Sequence, residues 1–290
     1  MGRITARRRV IRVRHGESDA RADMLAVEEP LEIRVGGRPL VVTMRTPGHD
    51  VELAAGFLVS EGVIAGAHDI AVARYCAGAT EEGTNSYNVL DVTLGAGVAA
   101  PAPSLTRHFA TTSACGVCGK ESIESVTTIS RFGVADDPLC VDADTLLGLP
   151  ERLRAGQQAF AKTGGLHAAG LFDGHTGDAL VIREDVGRHN AVDKVVGWAL
   201  AQDRLPLRGS ILQVSGRASF ELVQKAAMAG IPMLCAVSAP SSLAADLAEA
   251  QGMTLVGFVR GDSMVLYTRD DRVRLQQSRS AAAPTVARGR

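Results

Sequence analysis

The segment Thr111-Thr112-Ser113-Ala114-Cys115-Gly116-Val117-Cys118-Gly119-Lys120 carries two thiols separated by a glycine and a valine, with a lysine beside them. The thiolate, not the thiol, is the nucleophile, and a nearby cation or helix N-terminus lowers a cysteine pKa enough to populate it. Lys120 is placed to supply the cation, and the stretch 120–130 to supply the helix. Gly116 and Gly119 relax the steric limits on the backbone, so the spacing predicts sulfurs at an exposed loop tip, where a partner protein can reach them.

Three chemistries fit two neighbouring thiols. A structural zinc site needs four ligands, and Cys76, Cys140 and Cys235 stand alone, which disfavours it. A thioredoxin-like dithiol expects a strand running into the motif, whereas 101–114, with Pro103, Ser104 and Thr106, reads as a loop. A sulfur carrier holds a persulfide on one cysteine by the same exchange chemistry. The pair alone leaves the last two open.

A chain of 290 residues buries a substantial core and is long enough for two domains. A formal net charge of −1 gives no global signal for nucleic acid or an anionic membrane. No apolar run has the length of a membrane span, and no secretory leader follows Met1, so the cytoplasm is the expected compartment. Five scattered cysteines do not make a disulfide framework, and a reducing compartment keeps Cys115 and Cys118 available. Arg3, Arg7, Arg8, Arg9, Arg12 and Arg14 read as a solvated tail within an N-terminal arm, 1–29.

The elements that must position the chemistry fall into two rhythms. In 30–44, apolar and polar residues alternate about Gly36-Gly37, a hairpin signature, and Asp50 reads as the cap of a helix ending near Gly62. Strands at 70–76 and 87–94 complete a small α+β domain, 30–110, followed by a mobile cysteine segment, 111–130. In 131–275, strands at 166–172 and 179–184 bracket a turn, 188–201 reads as a helix, and strands at 210–214, 232–237 and 254–258 alternate with helices at 219–229 and 241–251. A last strand at 264–269 precedes a tail, 276–290, whose Ser, Ala and Arg composition reads as disordered. Such alternation predicts an α/β layer with parallel strands.

Open parallel sheets bind ligands beyond the carboxyl ends of their strands. Those ends carry Ser215-Gly216-Arg217, Ser238-Ala239 and Arg260-Gly261-Asp262-Ser263, each serine close to a helix start where free N–H groups cradle phosphate. The densest polar cluster, Arg183-Glu184-Asp185-Val186-Gly187-Arg188-His189-Asn190, joins them; arginine suits phosphate, and Glu or Asp reads the donor edge of guanine. Gly165 and His167 lie in Thr163-Gly164-Gly165-Leu166-His167-Ala168-Ala169, where a zinc deaminase needs His-Xaa-Glu followed by a later cysteine pair. Ala169 stands in place of the glutamate, and the cysteine pair precedes the histidine, so zinc deamination is disfavoured twice. The set points to a pocket for a phosphate-bearing ligand.

The stretch from Thr112 to Gly119, the Thr163 to Ala169 stretch, Glu184-Asp185-Val186-Gly187-Arg188-His189-Asn190-Ala191-Val192-Asp193-Lys194 and Ser215-Gly216-Arg217 resemble, in order, the FdhD family of sulfurtransferases accessory to formate dehydrogenase. The resemblance implies a cytidine-deaminase-like α/β C-terminal domain that binds no zinc, beside the smaller α+β domain. It implies a cysteine desulfurase (IscS-like) as sulfur donor, apo formate dehydrogenase as client and a homodimer. The cargo would be bis-molybdopterin guanine dinucleotide, with molybdenum or tungsten. Carried onto this chain, Cys115 holds the persulfide, Cys118 is helper or alternate acceptor, and Phe258, Val259, Arg260, Gly261, Asp262 and Ser263 meet the guanine dinucleotide. A non-catalytic cofactor chaperone and a dithiol oxidoreductase are the rival expectations.

Overall fold

The computed structural model of the chain describes residues 4–76, 87–101 and 130–275. Cys115 and Cys118 lie outside the described residues, as do the 111–129 part of the cysteine segment and the 276–290 tail.

The first element corrects an expectation. Strands β1 (Thr5–Arg14) and β2 (Glu17–Ala26) form an antiparallel hairpin where a solvated tail is expected. His15 and Gly16 turn it with φ of 49° and 87°, a left-handed pair of the kind that tight hairpins favour. Arg8 faces Asp23, Arg12 faces Asp19 and Arg14 faces Glu17 across the ribbon, and Arg21 pairs with Asp23 along β2 at 3.7 Å.

Strands β3 (Glu29–Val35) and β4 (Arg38–Arg45) make the expected hairpin, with Gly36 and Gly37 at φ 57° and 79°. With β5 (Ile70–Tyr75) and β6 (Val89–Leu94) they give a four-stranded sheet in the order β4-β3-β6-β5, parallel only between β3 and β6. Helix α1 (Asp50–Ser60) covers its inner face. Asp50 is not its cap: His49 holds that position, and the Asp50 carboxylate instead accepts from Arg45 Nη2 (3.1 Å), Gly48 N (3.2 Å) and the Tyr75 hydroxyl (3.1 Å).

Short strand β7 (Val141–Asp142) leads into helix α2 (Ala143–Gly156), and α3 (Gln158–Thr163) follows at once. Then come β8 (His167–Asp173), β9 (Ala179–Asp185), α4 (Arg188–Ala201), β10 (Ser210–Val214), α5 (Phe220–Met228), β11 (Met233–Ala236), α6 (Ser242–Gln251), β12 (Thr254–Arg260) and β13 (Ser263–Thr268). A final β14 (Val273–Arg274) pairs in parallel with β7. The main sheet runs β13-β12-β11-β10-β8-β9, parallel through β10, β11 and β12 and antiparallel at both sides.

The central strands β10, β11 and β12 of this mixed α/β sheet are buried on both faces over most of their length, which is why they read as apolar runs. Leu212 and Val214 face the α1, α4 and α5 side, while Ile211 packs with Leu146, Leu149, Leu153 and Phe172 beneath α2. Helices α1 and α4 cross at backbone contact. A Cβ added to Gly56 would lie 1.8 Å from the Asp193 carbonyl oxygen, and one added to Gly197 1.8 Å from that of Glu52. That crossing ties the four-stranded sheet to the six-stranded one. Among the described residues, no helix is long and apolar enough to cross a membrane.

Candidate functional site

The topology brings the polar loops to one edge of the main sheet. Ser215 follows β10, Val237 and Ser238 follow β11, and Arg260 ends β12; β9 runs the same way and ends at Asp185, while antiparallel β8 begins there at His167. The loops are fastened to one another. Ser215 Oγ accepts from Ala168 N at 2.9 Å, Ser241 N donates to Ala218 O at 3.0 Å, and Phe258 N donates to Ser238 O at 3.2 Å.

Behind this edge lies a cleft of about 630 Å³, within the range that small-molecule sites occupy. Gly165, His167, Val186, Ser215 and Val237 contribute from the sheet edge, and Arg154, Gln157 and Phe160 from the α2–α3 corner. The corner residues are invisible to sequence reasoning. Nothing local marks a charged residue, an amide and an aromatic spread over two short helices as one wall.

Within the 183–189 cluster, the structure separates framework from free groups. Arg183 gives its fork to Glu52, Nε to Oε2 at 2.6 Å and Nη2 to Oε1 at 2.8 Å. Glu184 accepts from Ala159 N (2.8 Å) and Phe160 N (2.7 Å), holding the first turn of α3 against the sheet edge. Asp185 is 0% exposed; its carboxylate accepts from Thr46 N, Gly187 N and Asn190 Nδ2 and pairs with Lys194 Nζ at 2.7 Å. These three residues, expected at a ligand, are committed to the fold. A phosphate or guanine meeting them would have to displace charge-assisted bonds that are already made.

Arg188 differs. It opens α4, and its Nε is buried with no hydrogen-bond partner among the described residues. Leaving such a group unmade costs about 1–3 kcal/mol, so an acceptor on a ligand has a place waiting. His189 next to it is engaged, with Nε2 2.9 Å from Glu221 Oε2 and 3.3 Å from Ser219 Oγ. Burial, then the Arg188 charge and then His189, push His167 below its ordinary pKa. A neutral imidazole results at pH 7, set against Gly216, where an added Cβ would lie 3.5 Å from His167 Nδ1.

The 258–263 loop is also divided. A bulge between Gly257 and Arg260 turns Phe258 to φ 52°, and Val259 is 0% exposed inside the cluster under α2. The Val259 side chain is therefore core. Arg260, Gly261, Asp262 and Ser263 are exposed at the β12–β13 turn, and the Arg260 guanidinium lies 5.8 Å from the Phe258 ring centre. Arg217 is exposed too, and neither Arg217 nor Arg260 forms an ion pair with a described residue. The edge thus presents three arginines that form no ion pair with a described carboxylate, although the Arg188 charge is felt by Glu221. Of the other cysteines, Cys235 is buried in the sheet, where burial pushes its thiol far above the ordinary range and keeps it inert.

The Glu52–Arg183 bridge gives a pH-dependent expectation. Burial opposes ionisation, but hydrogen bonds from Arg183 and His49 hold the Glu52 carboxyl down at about 2. Because the folded value is depressed, the stabilisation is complete above the unfolded value of about 4.3 and is lost as pH falls through about 2. Glu52→Gln is expected to lower unfolding free energy by about 1–2 kcal/mol at pH 7, with the gap to wild type closing in denaturation curves taken towards pH 2. A gap that persists unchanged at that pH would remove the bridge as its cause.

Residues 26–274 match the family model described as the FdhD/NarQ family. The "Sulfur carrier protein FdhD" of Mycolicibacterium paratuberculosis is 62% identical, covering 93% of this chain and 99% of that protein. The protein of the same name from Mycobacterium tuberculosis is 58% identical, covering 94% of this chain and 100% of its own length. Among solved structures, a chain from Desulfotalea psychrophila, given the provisional title of formate dehydrogenase accessory protein, superposes with a TM-score of 0.72 at 24% identity. It covers 94% of this chain and 100% of its own, and it shares the fold.

Proposed function

This chain belongs to the FdhD/NarQ family, and from that premise we propose that it is a sulfur carrier for the maturation of formate dehydrogenase. In this reading Cys115 accepts sulfur from a cysteine desulfurase as a persulfide. The sulfur then passes to the molybdenum or tungsten of a bis-molybdopterin guanine dinucleotide bound at the sheet edge. The likeness to curated sulfur carriers supports the first half. The single observation that supports the second is Arg188, whose buried guanidinium Nε has no acceptor among the described residues, at the edge where dinucleotide phosphates would lie.

The chemistry divides between the thiols and the edge. The Cys115 thiolate attacks the outer sulfur of the desulfurase persulfide, a new S–S bond forms, and the desulfurase cysteine leaves as thiolate. Arg188, Arg217 and Arg260 neutralise the diphosphates of the cargo, and the neutral His167 offers a hydrogen bond without adding charge. The 258–263 turn meets the guanine dinucleotide portion. A homodimer in a reducing cytoplasm completes the reading, since reduced thiols must remain available between cycles.

The test is to incubate the purified protein with an active cysteine desulfurase and cysteine, then locate added sulfur by intact-mass and peptide mass spectrometry without reductant. One extra sulfur on the peptide holding Cys115 and Cys118 is the expected result. Unmodified cysteines would replace the carrier with a non-catalytic chaperone that holds the cofactor for formate dehydrogenase.

A further inference from the structure

The β1–β2 ribbon has two unlike faces, and the sulfur-carrier reading gives it no task. Directly paired residues share a face, and successive pairs alternate between faces. On one face Arg8, Arg12 and Arg14 each stand opposite an acid. On the other, Arg7 stands opposite Met24, Arg9 opposite Ala22, Ile11 opposite Ala20 and Val13 opposite Ser18, so no carboxylate belongs to it. Arg7 and Arg9 are exposed and form no ion pair with a described residue, and Ile11 and Val13 are 58% and 68% exposed beside them. Ala20 and Ala22 help to line a groove of about 440 Å³ with Arg7 and Arg9. A two-stranded hairpin is marginal alone in water and gains stability when something packs on it. The body of the protein meets this one at its root, where β2 lies against α3 and Ala26, on the acid-free face, adjoins Gly165 of the cleft wall.

Resting on the reading above, we infer that the acid-free face of the ribbon is a docking arm for the enzyme that receives the cargo, and that it takes an acidic rim of that enzyme with an apolar side chain beside it. Residues two apart on a strand lie about 7 Å from each other on one face, so Arg7 and Arg9 meet two separate carboxylates, each guanidinium able to give a pair of hydrogen bonds. Ile11 and Val13 continue that face towards the turn and lose their exposure when the rim closes on them. Arginine mixed with aliphatic surface is the composition of a protein–protein contact. A nucleic-acid backbone or an anionic headgroup layer would instead meet Glu17 and Asp19 near the tip, where acids repel phosphate. Position selects the partner. The arm rises from Gly165, so whatever it holds sits at the mouth of the cleft, where cargo must change hands.

The probe is cofactor-free formate dehydrogenase immobilised on a biosensor, with the full chain in solution at two salt concentrations. Arg7→Glu with Arg9→Glu is expected to weaken binding about tenfold, mainly through slower association, and to flatten its salt dependence. Ile11→Ser with Val13→Ser is expected to weaken it through faster dissociation, which keeps the arm testable if the charge reversal disturbs the ribbon. Arg12→Gln with Arg14→Gln, on the opposite face, should change affinity less than about twofold. Sulfur loading by a cysteine desulfurase, read by mass spectrometry, should be the same in all four proteins. Equal affinity in wild type and both arm variants overturns the arm and leaves the carrier reading standing. Loss of sulfur loading along with client binding overturns the choice of partner, since the arm then serves the donor. Absence of binding by wild type, or arm-dependent binding only to RNA or to vesicles containing phosphatidylserine, overturns the docking inference, while sulfur loading judges the carrier reading separately.

Discussion

Cys115→Ser is expected to abolish activation of formate dehydrogenase, with activity falling to that of a strain lacking the carrier. Serine keeps the size of the side chain, but an alcohol oxygen at neutral pH neither attacks a persulfide nor holds sulfane sulfur in a stable bond, so any residual rate would have to run through Cys118. Cys118→Ser should separate the two halves of the cycle. A persulfide sulfur leaves as sulfide only if two electrons are supplied. Attack of a Cys118 thiolate on the inner sulfur supplies them, breaking the persulfide S–S bond, forming a Cys115–Cys118 disulfide and expelling hydrosulfide. The Cys118→Ser protein should therefore load one sulfur on Cys115 and release it only when an external thiol is added. The measurement is sulfide release, with and without dithiothreitol, from protein loaded by a desulfurase. Full activation by the Cys115→Ser, Cys118→Ser double variant would end the carrier reading outright, whereas full activation by Cys115→Ser alone would move the persulfide to Cys118. Release by Cys118→Ser at the wild-type rate without thiol would remove the disulfide step alone.

Sequence reasoning found the parts of the fold whose signal is local. The strand at 210–214 and the helix at 188–201 have the limits the sequence implies, because an apolar run bounded by polar turns and a helical repeat are both written in adjacent residues. Helix α2 escaped that reading because Pro150 lies inside it, and proline is ordinarily a stop; Leu146, Leu149 and Leu153, all buried, were the available signal. The β1–β2 hairpin escaped because its arginines were counted as charge, when acidic residues stand opposite three of them on the facing strand.

At the sheet edge the division follows the same logic. That three loops share one rim follows from strand order, which alternation predicts. Which charged residues of the 183–189 run are framework does not, because the partners that fix them are remote in sequence. Glu52 takes Arg183, the backbone of Thr46 helps bury Asp185, and the first turn of α3 takes Glu184. A dense polar string thus looks like a binding site even where its charges are answered from within. Arg188 is informative for the opposite reason, since the described residues leave its Nε without an acceptor.

The largest stability effect is expected at Lys225. Its Nζ lies 2.7 and 2.9 Å from the two Asp193 carboxylate oxygens, and Ser60 Oγ donates to the same carboxylate at 2.9 Å, so α1, α4 and α5 are joined by one buried charge pair. Lys225→Met leaves Asp193 with one neutral donor in a site 2% exposed, and should cost about 3–5 kcal/mol in urea unfolding at pH 7. Burial already pushes the Asp193 carboxyl upward, and Lys225 is what opposes it. Without the lysine, the folded protein holds Asp193 protonated to higher pH than the unfolded chain does. The variant is therefore closest to wild type below the ordinary carboxylate range, and its deficit widens as pH rises from 5 to 8. Replacing both residues, Asp193→Leu with Lys225→Met, removes the orphaned charge and should recover most of the loss, because the single Ser60 hydroxyl proton then goes to its other acceptor, the Gly56 carbonyl at 2.8 Å. A single-variant deficit under about 1 kcal/mol, flat with pH, would show that the helix crossing at Gly56 and Gly197 holds these helices without the pair.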